Sequence, residues 1–124
     1  MLLNIDDHKT IRDLQERFAE CFPGLKIEFY EKPHHWGDGN LIQLLIGPSA
    51  NIGEIRNLHE NGLLDIKSWD KAGEVEINFR KNFGLNVQVY YLKNHHWQQT
   101  TEKDDLTLKQ LCELATHSIT HPNV

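Results

Sequence analysis

The chain has 124 residues, 39% hydrophobic and 25% charged, and a formal net charge of −5 from 13 basic and 18 acidic side chains. That size suits one ordinary domain or two very small halves around a shared core, and 5 Phe, 3 Trp and 3 Tyr can anchor it. No apolar run approaches the roughly 20 residues that span a bilayer, and Met1–Asp7 lacks the basic region and long apolar stretch of a signal peptide. A pI near 5.9 argues against a sequence-independent grip on phosphate backbones. Cys21 and Cys112 form neither a CxxC nor a disulfide framework, so a reducing cytoplasm is the expected compartment.

Leu2–Ile5 reads as a short strand. Thr10 is an N-cap candidate for a helix that places Ile11, Leu14, Phe18 and Phe22 on one face, at spacings of three and four. Gly24 follows where a left-handed C-cap wants glycine, and Leu25, Ile27 and Phe29 then alternate as a half-buried strand. The apolar run Leu41–Ile46 predicts a second, more deeply buried strand. Asn51-Ile52-Gly53-Glu54 has capping-box spacing ahead of a helix carrying Ile52, Ile55 and Leu58. The second half starts with a strand over 63–69 and an N-cap at Asp70, before a helix that buries Ala72, Val75, Phe79 and Phe83. Gly84 closes that helix, and Leu85, Val87 and Val89 alternate after it. A polar edge strand is expected at Trp97–Thr101, and the capping box Thr107–Gln110 opens a last helix with Leu108, Leu111, Cys112 and Ala115.

The two halves align. Leu14–Phe22 matches Val75–Phe83 at an offset of 61; Gly24–Tyr30 matches Gly84–Tyr90 at 60; His34-His35-Trp36 matches His95-His96-Trp97 at 61 again. Eight positions are identical (both Phe, Gly, Leu, Tyr, two His and Trp), where chance would give about one or two, so the period is close to 60 residues. The expected fold is α+β, a tandem β-α-β-β-α repeat forming one pseudo-two-fold domain over 1–124, with halves of about 1–62 and 63–124. The first six elements also spell β-α-β-β-α-β, the ferredoxin-like order.

The recurring His-His-Trp element is the first candidate site. Imidazoles suit zinc or nickel, and a pseudo-two-fold could bring His34, His35, His95 and His96 to one ion. Adjacent strand residues point to opposite faces, so a hairpin turn with solvated histidines is the simpler reading. Trp36 and Trp97 are candidate binding anchors, since aromatics are enriched at interaction hot spots; the competing role is to cover the core edge. Gly37-Asp38-Gly39-Asn40 lacks the Lys-Ser/Thr of a phosphate loop and the closing Glu of a calcium loop, and reads as a turn. His117 and His121 lack the glutamate of a zinc-protease helix. Cys112 reads as a structural thiol on an apolar helix face. His8 and His59 show no partner in the sequence. Asp6-Asp7 and Asp104-Asp105 read as charges at helix N-termini, and no Ser/His/Asp order can be defended.

From Phe83-Gly84-Leu85-Asn86-Val87-Gln88-Val89, through Trp97-Gln98-Gln99-Thr100, to Asp104-Asp105-Leu106-Thr107-Leu108, the chain resembles a family of small, uncharacterised bacterial proteins. Their C-terminal half reads Phe-Gly-Leu-x-Val-Gln-Val, Trp-x-Gln-Thr and Asp-Asp-x-Thr-Leu. The resemblance implies a bacterial cytoplasmic protein and, because that family has no assigned activity, brings no catalytic residue with it.

The absence of a reactive constellation favours a non-enzymatic binding or interaction module without a cofactor. Its expected partners are another protein or, if the polar strand at 97–101 lies on an exposed edge, a second copy of itself. A membrane is not expected as a partner. The alternative is a metal-binding protein or small metal-dependent hydrolase that uses the His-His-Trp elements with zinc or nickel. Nucleic-acid binding is disfavoured by the acidic balance, a patch of Lys26, Lys32 and Arg56 being its strongest support.

Overall fold

The computed structural model describes residues 1–31, 44–100, 103 and 105–120, with side chains up to residue 116. The fold is mixed α+β, with three α-helices and two antiparallel sheets. In chain order the elements are β1 (Leu2–Ile5), α1 (Ile11–Cys21), β2 (Leu25–Tyr30), β3 (Leu45–Ile46) and a 3₁₀ turn (Ile52–Glu54). After these come β4 (Gly62–Asp65), α2 (Ala72–Phe83), β5 (Asn86–Lys93), β6 (His96–Gln99) and α3 (Leu108–Thr120). No helix among the described residues is long and apolar enough to cross a membrane.

α1 and α2 form where the apolar spacing predicts. Thr10 caps α1 through a closed box: its hydroxyl accepts from Asp13 N at 3.2 Å, and Asp13 Oδ2 accepts from Thr10 N at 3.0 Å. Ile11, Leu14, Phe18 and Phe22 are buried, as are Ala72, Val75, Phe79 and Phe83 of α2. α2 ends in a left-handed glycine, Gly84 at φ 66°, with Gly84 N donating to Arg80 O and Leu85 N to Phe79 O. That is a Schellman-type end, in which two otherwise orphaned carbonyls are satisfied.

β1 pairs with β4 in a two-stranded sheet, Leu3 opposite Leu64. The other sheet, which is curled, runs β3-β2-β5-β6. Its centre is the β2–β5 pair, with Lys26 opposite Tyr90, Glu28 opposite Gln88 and Tyr30 opposite Asn86. Leu25, Ile27, Phe29, Val87, Val89 and Tyr91 point inward beneath the helices, α1 packing on β2 and α2 and α3 on β5. Phe29 and Phe79 meet edge to face at 6.1 Å, joining sheet to helix in one buried cluster that also holds Leu3, Leu64, Leu108 and Leu111.

Helix side chains complete the ladder where strands fall short. Val89 N lies beyond the end of the β5–β6 pairing and donates to Glu76 Oε2 at 2.8 Å, while Ile27 O accepts from Gln15 Nε2 at 2.9 Å. Buried backbone groups left without partners cost about 1–3 kcal/mol each. The connections ahead of α1 and α2 are tied down alike. Ile11 N donates to Ala50 O, Ile52 N to Lys9 O and Gly53 N to Asp7 O; Ala72 N donates to Leu106 O, Leu108 N to Asp70 O and Lys109 N to Ser68 O.

Several expectations need correction. The helix expected from Ile52 is one 3₁₀ turn. Asn51 makes no cap bond to the backbone, and its amide goes to Glu54 Oε1 instead. The same spacing at Thr107–Gln110 does close in both directions. Asp70 is not an N-cap: Lys71 holds that position, and Asp70 Oδ2 accepts from Lys67 N. The second strand of the first half is not deeply buried, since Leu44 and Leu45 are each 58% exposed; positions 41–43 of that prediction lie outside the described residues. Among the described residues the ferredoxin-like arrangement does not form, because β1 pairs with β4 in a sheet apart from β2 and β5.

Candidate binding surface

The residues of β2 and β5 that do not face the core project onto the outer face of the four-stranded sheet, where β6 extends them. Alternation places Lys26, Glu28 and Tyr30 there from β2, and Gln88, Tyr90 and Leu92 from β5. β6 contributes Trp97, opposite Leu92, and Gln99, opposite Tyr90. The phenol oxygens of Tyr30 and Tyr90 are hydrogen-bonded to each other, and Gln99 Nε2 donates to Tyr90 Oη at 3.4 Å. Burial first, and the Tyr90 contact second, push the Tyr30 phenol well above its ordinary value, so it stays neutral. Below the tyrosine pair Gln88 is buried, its amide donating to Val89 O at 3.1 Å.

Lys26 lies within this aromatic ground. Its Nζ is 4.7 Å from the centre of the Trp97 ring, 5.4 Å from that of Tyr90 and 3.2 Å from Glu28 Oε1. Both rings fall within the roughly 6 Å over which an ammonium is attracted to an aromatic face. Trp97 remains 43% exposed. It therefore lies on the outer face of the terminal strand and does not close the core. All four residues of β6 are exposed, and the strand ends the sheet.

His95 and His96 lie at the β5–β6 turn, His95 at φ 67° in the turn and His96 as the first residue of β6, both exposed. Among the described residues no group of three His, Cys, Asp or Glu side chains is placed to hold a metal. His34, His35 and Trp36 lie outside the described residues, as do Gly37–Asn40, Lys32, Asp104 and His121.

A second polar cluster was not legible in the sequence. Arg56, read there as part of a basic surface patch, is buried. All five of its N–H groups are used: Nε and Nη2 donate to Asp7 Oδ1 at 2.9 and 2.6 Å, Nη2 to Asn61 Oδ1, and Nη1 to Glu60 O and Phe83 O. His59 Nδ1 lies 2.9 Å from Asp7 Oδ2, so His59 has a partner after all. The Arg56 hydrogen bonds, more than the His59 one, hold the Asp7 carboxyl below its ordinary value. Asp7 is thus a tie between distant segments rather than a charge for a helix end. A His–Asp pair is the base-and-orienter half of a nucleophilic triad, but among the described residues no serine, threonine or cysteine side chain hydrogen-bonds to His59. The cluster reads as a structural staple. Cys112, half-buried on α3, is pushed up to about 11 by burial, which suits a structural thiol.

No family model matches the chain, and no curated protein or solved structure matches it either. The function must be read from the surface itself.

Proposed function

We propose that the protein is a non-enzymatic binding module that engages a protein partner through the outer face of its four-stranded sheet, with Trp97 as the anchor. The observation that carries this reading is the placement of Trp97, 43% exposed on a terminal strand and stacked with Lys26 beside Tyr90. A large aromatic held by neighbours yet open to solvent has the character of an interface anchor. β6, which carries it, is an edge strand to which another chain can add by main-chain pairing, and a second copy of this protein is one such chain.

The same reading takes the chain as a tandem duplication folded about a pseudo-two-fold in one domain. Support comes from the β2–β5 register. Moving each residue by the 60 positions that separate Tyr30 from Tyr90 turns the Lys26–Tyr90 pair into Asn86–Tyr30 and maps Glu28–Gln88 onto itself. The three backbone bonds ahead of α1 recur ahead of α2 at matching positions, which adds to that support.

The test is cross-linking followed by affinity purification from producing cells, using wild type, Trp97→Ala and Trp69→Ala. Trp69, at 69% exposed, controls for any exposed tryptophan. A stoichiometric partner, or a cross-linked dimer, that is lost only with Trp97→Ala is the expected result. Equal recovery with Trp97→Ala would remove the reading.

A further inference from the structure

We propose that Glu28, Tyr90 and Trp97 form a receiving site for an alkylammonium group, which Lys26 fills in the free protein and which a lysine side chain of a protein partner enters by displacing it. The inference deepens the binding-module reading and rests on it, because it names the chemistry of the group that would dock beside Trp97.

The geometry carries the argument. A cation over an aromatic face is attracted by the ring quadrupole within about 6 Å of the centroid, and Lys26 Nζ meets that condition on two rings at once, at 4.7 Å and 5.4 Å. The carboxylate of Glu28 completes the set at 3.2 Å. Two rings and a carboxylate converging on one ammonium are the elements from which protein sites for alkylammonium ligands are made. Two of the three are held by other partners as well. The Tyr90 hydroxyl is bonded to Tyr30 and Gln99, Glu28 Oε2 accepts from Gln15 Nε2 at 3.3 Å, and the β5–β6 pairing sets the Trp97 backbone. Removing the lysine therefore leaves the carboxylate and the Tyr90 ring in place beside Trp97.

Lys26 is suited to act as a removable plug. Its side chain is 30% exposed, and among the described residues its ion-pair partner is Glu28, itself part of the site. A partly exposed pair of this kind contributes little to stability, so an incoming ammonium can compete for it. The net charge of −5 also favours a basic visitor over an acidic one.

The experiment titrates n-butylammonium chloride, the lysine side chain in isolation, into wild type, Lys26→Ala and Lys26→Gln. The Trp97 indole N–H resonance is followed at constant ionic strength, against sodium chloride. Saturable shifts in both Lys26 variants, with affinity at least tenfold above wild type, are expected. Adding Glu28→Gln to Lys26→Ala should abolish saturation. The Trp97 resonance also reports whether each variant keeps its fold, and the glutamine variant answers for any collapse caused by alanine. Shifts in the Lys26 variants no larger than in wild type, or saturation that survives Glu28→Gln, would overturn the proposal. If partner capture still depended on Trp97 in that event, the binding-module reading would stand with a surface that does not receive cations. If capture did not depend on Trp97 but n-butylammonium still saturated the Lys26 variants, the cation site would stand and the partner reading would fall.

Discussion

Tyr30 and Tyr90 touch hydroxyl to hydroxyl across the outer face of the sheet, above Glu28 and Gln88, which lie directly opposite each other on β2 and β5. The contact joins the two central strands of the four-stranded sheet through side chains as well as through the backbone ladder. It also fixes the Tyr90 ring against which Lys26 rests.

Removing one phenol should cost more than its share. Tyr90→Phe leaves the half-buried Tyr30 hydroxyl without its Tyr90 partner, and Tyr30→Phe leaves the Tyr90 hydroxyl with the longer bond from Gln99, at about 1 kcal/mol each. The double variant removes both groups together and should cost clearly less than the sum of the singles. Urea denaturation of the four proteins gives the coupling, and strict additivity would mean that the two hydroxyls do not interact.

Arg56 should be among the most sensitive polar positions. Replacing it with Met leaves Asp7 without its main partner and Phe83 O and Glu60 O without donors. Breaking such a buried arrangement costs on the order of 3 kcal/mol. Thermal unfolding of Arg56→Met beside the exposed-site change Arg12→Met should show a large loss only for the first.

Acid should destabilise the protein partly through Asp7 and Asp13. Folding lowers both carboxyls from their ordinary 3.8, Asp7 through Arg56 and Asp13 through the Thr10 backbone N–H. The stability they contribute is therefore complete above that ordinary value and is lost as the pH falls through the folded-state values. Between pH 5 and 2, Asp7→Asn should show a shallower decline in stability than wild type. Equal slopes would mean that Asp7 is not ionised against Arg56.

Gly24 should tolerate no side chain, whereas Gly47 should. Gly24 has φ 85°, and a Cβ there would lie 2.5 Å from the Ala115 Cβ, while a Cβ added at Gly47 would meet no described atom within 4 Å beyond its chain neighbours. Gly24→Ala is expected to cost about 2–3 kcal/mol from backbone strain and overlap together. Gly47→Ala should stay within about 0.5 kcal/mol of wild type, as chemical denaturation would show.

Cys112 should react slowly with alkylating agents. Burial pushes its thiol from the ordinary 9.0 to about 11, so its thiolate fraction at pH 7.5 falls roughly 100-fold. Mass spectrometry of peptides after iodoacetamide treatment should show that lag relative to the unfolded chain, and equal rates would mean an accessible thiolate.

The local code was strong enough to be read directly from the chain. Ile11, Leu14, Phe18 and Phe22, and then Ala72, Val75, Phe79 and Phe83, declare helix faces because three-and-four spacing can bury one stripe. Gly84 declares the end of α2 because only glycine takes positive φ without a steric penalty, whereas α1 is capped by Phe22 at φ −128° and Gly24, at φ 85°, turns the chain two residues later. The alternation in Leu25–Phe29 and Leu85–Val89 places the inner faces of two strands, and the polar strand near Trp97 was legible as an edge. What the sequence leaves undecided are choices between near-equal local options and contacts between distant residues. Asn51–Glu54 and Thr107–Gln110 share one capping pattern, yet only the second opens an α-helix. The first is tied at Gly53 N to Asp7 O and is followed by Arg56, drawn inward by Asp7 and Phe83 O. The pairing of β1 with β4, the meeting of Tyr30 with Tyr90 and the seating of Lys26 between Trp97 and Tyr90 were likewise decided by tertiary structure. Side-chain periodicity reports which face of an element is buried, whereas the partner across a sheet or within a salt bridge depends on how the elements stack.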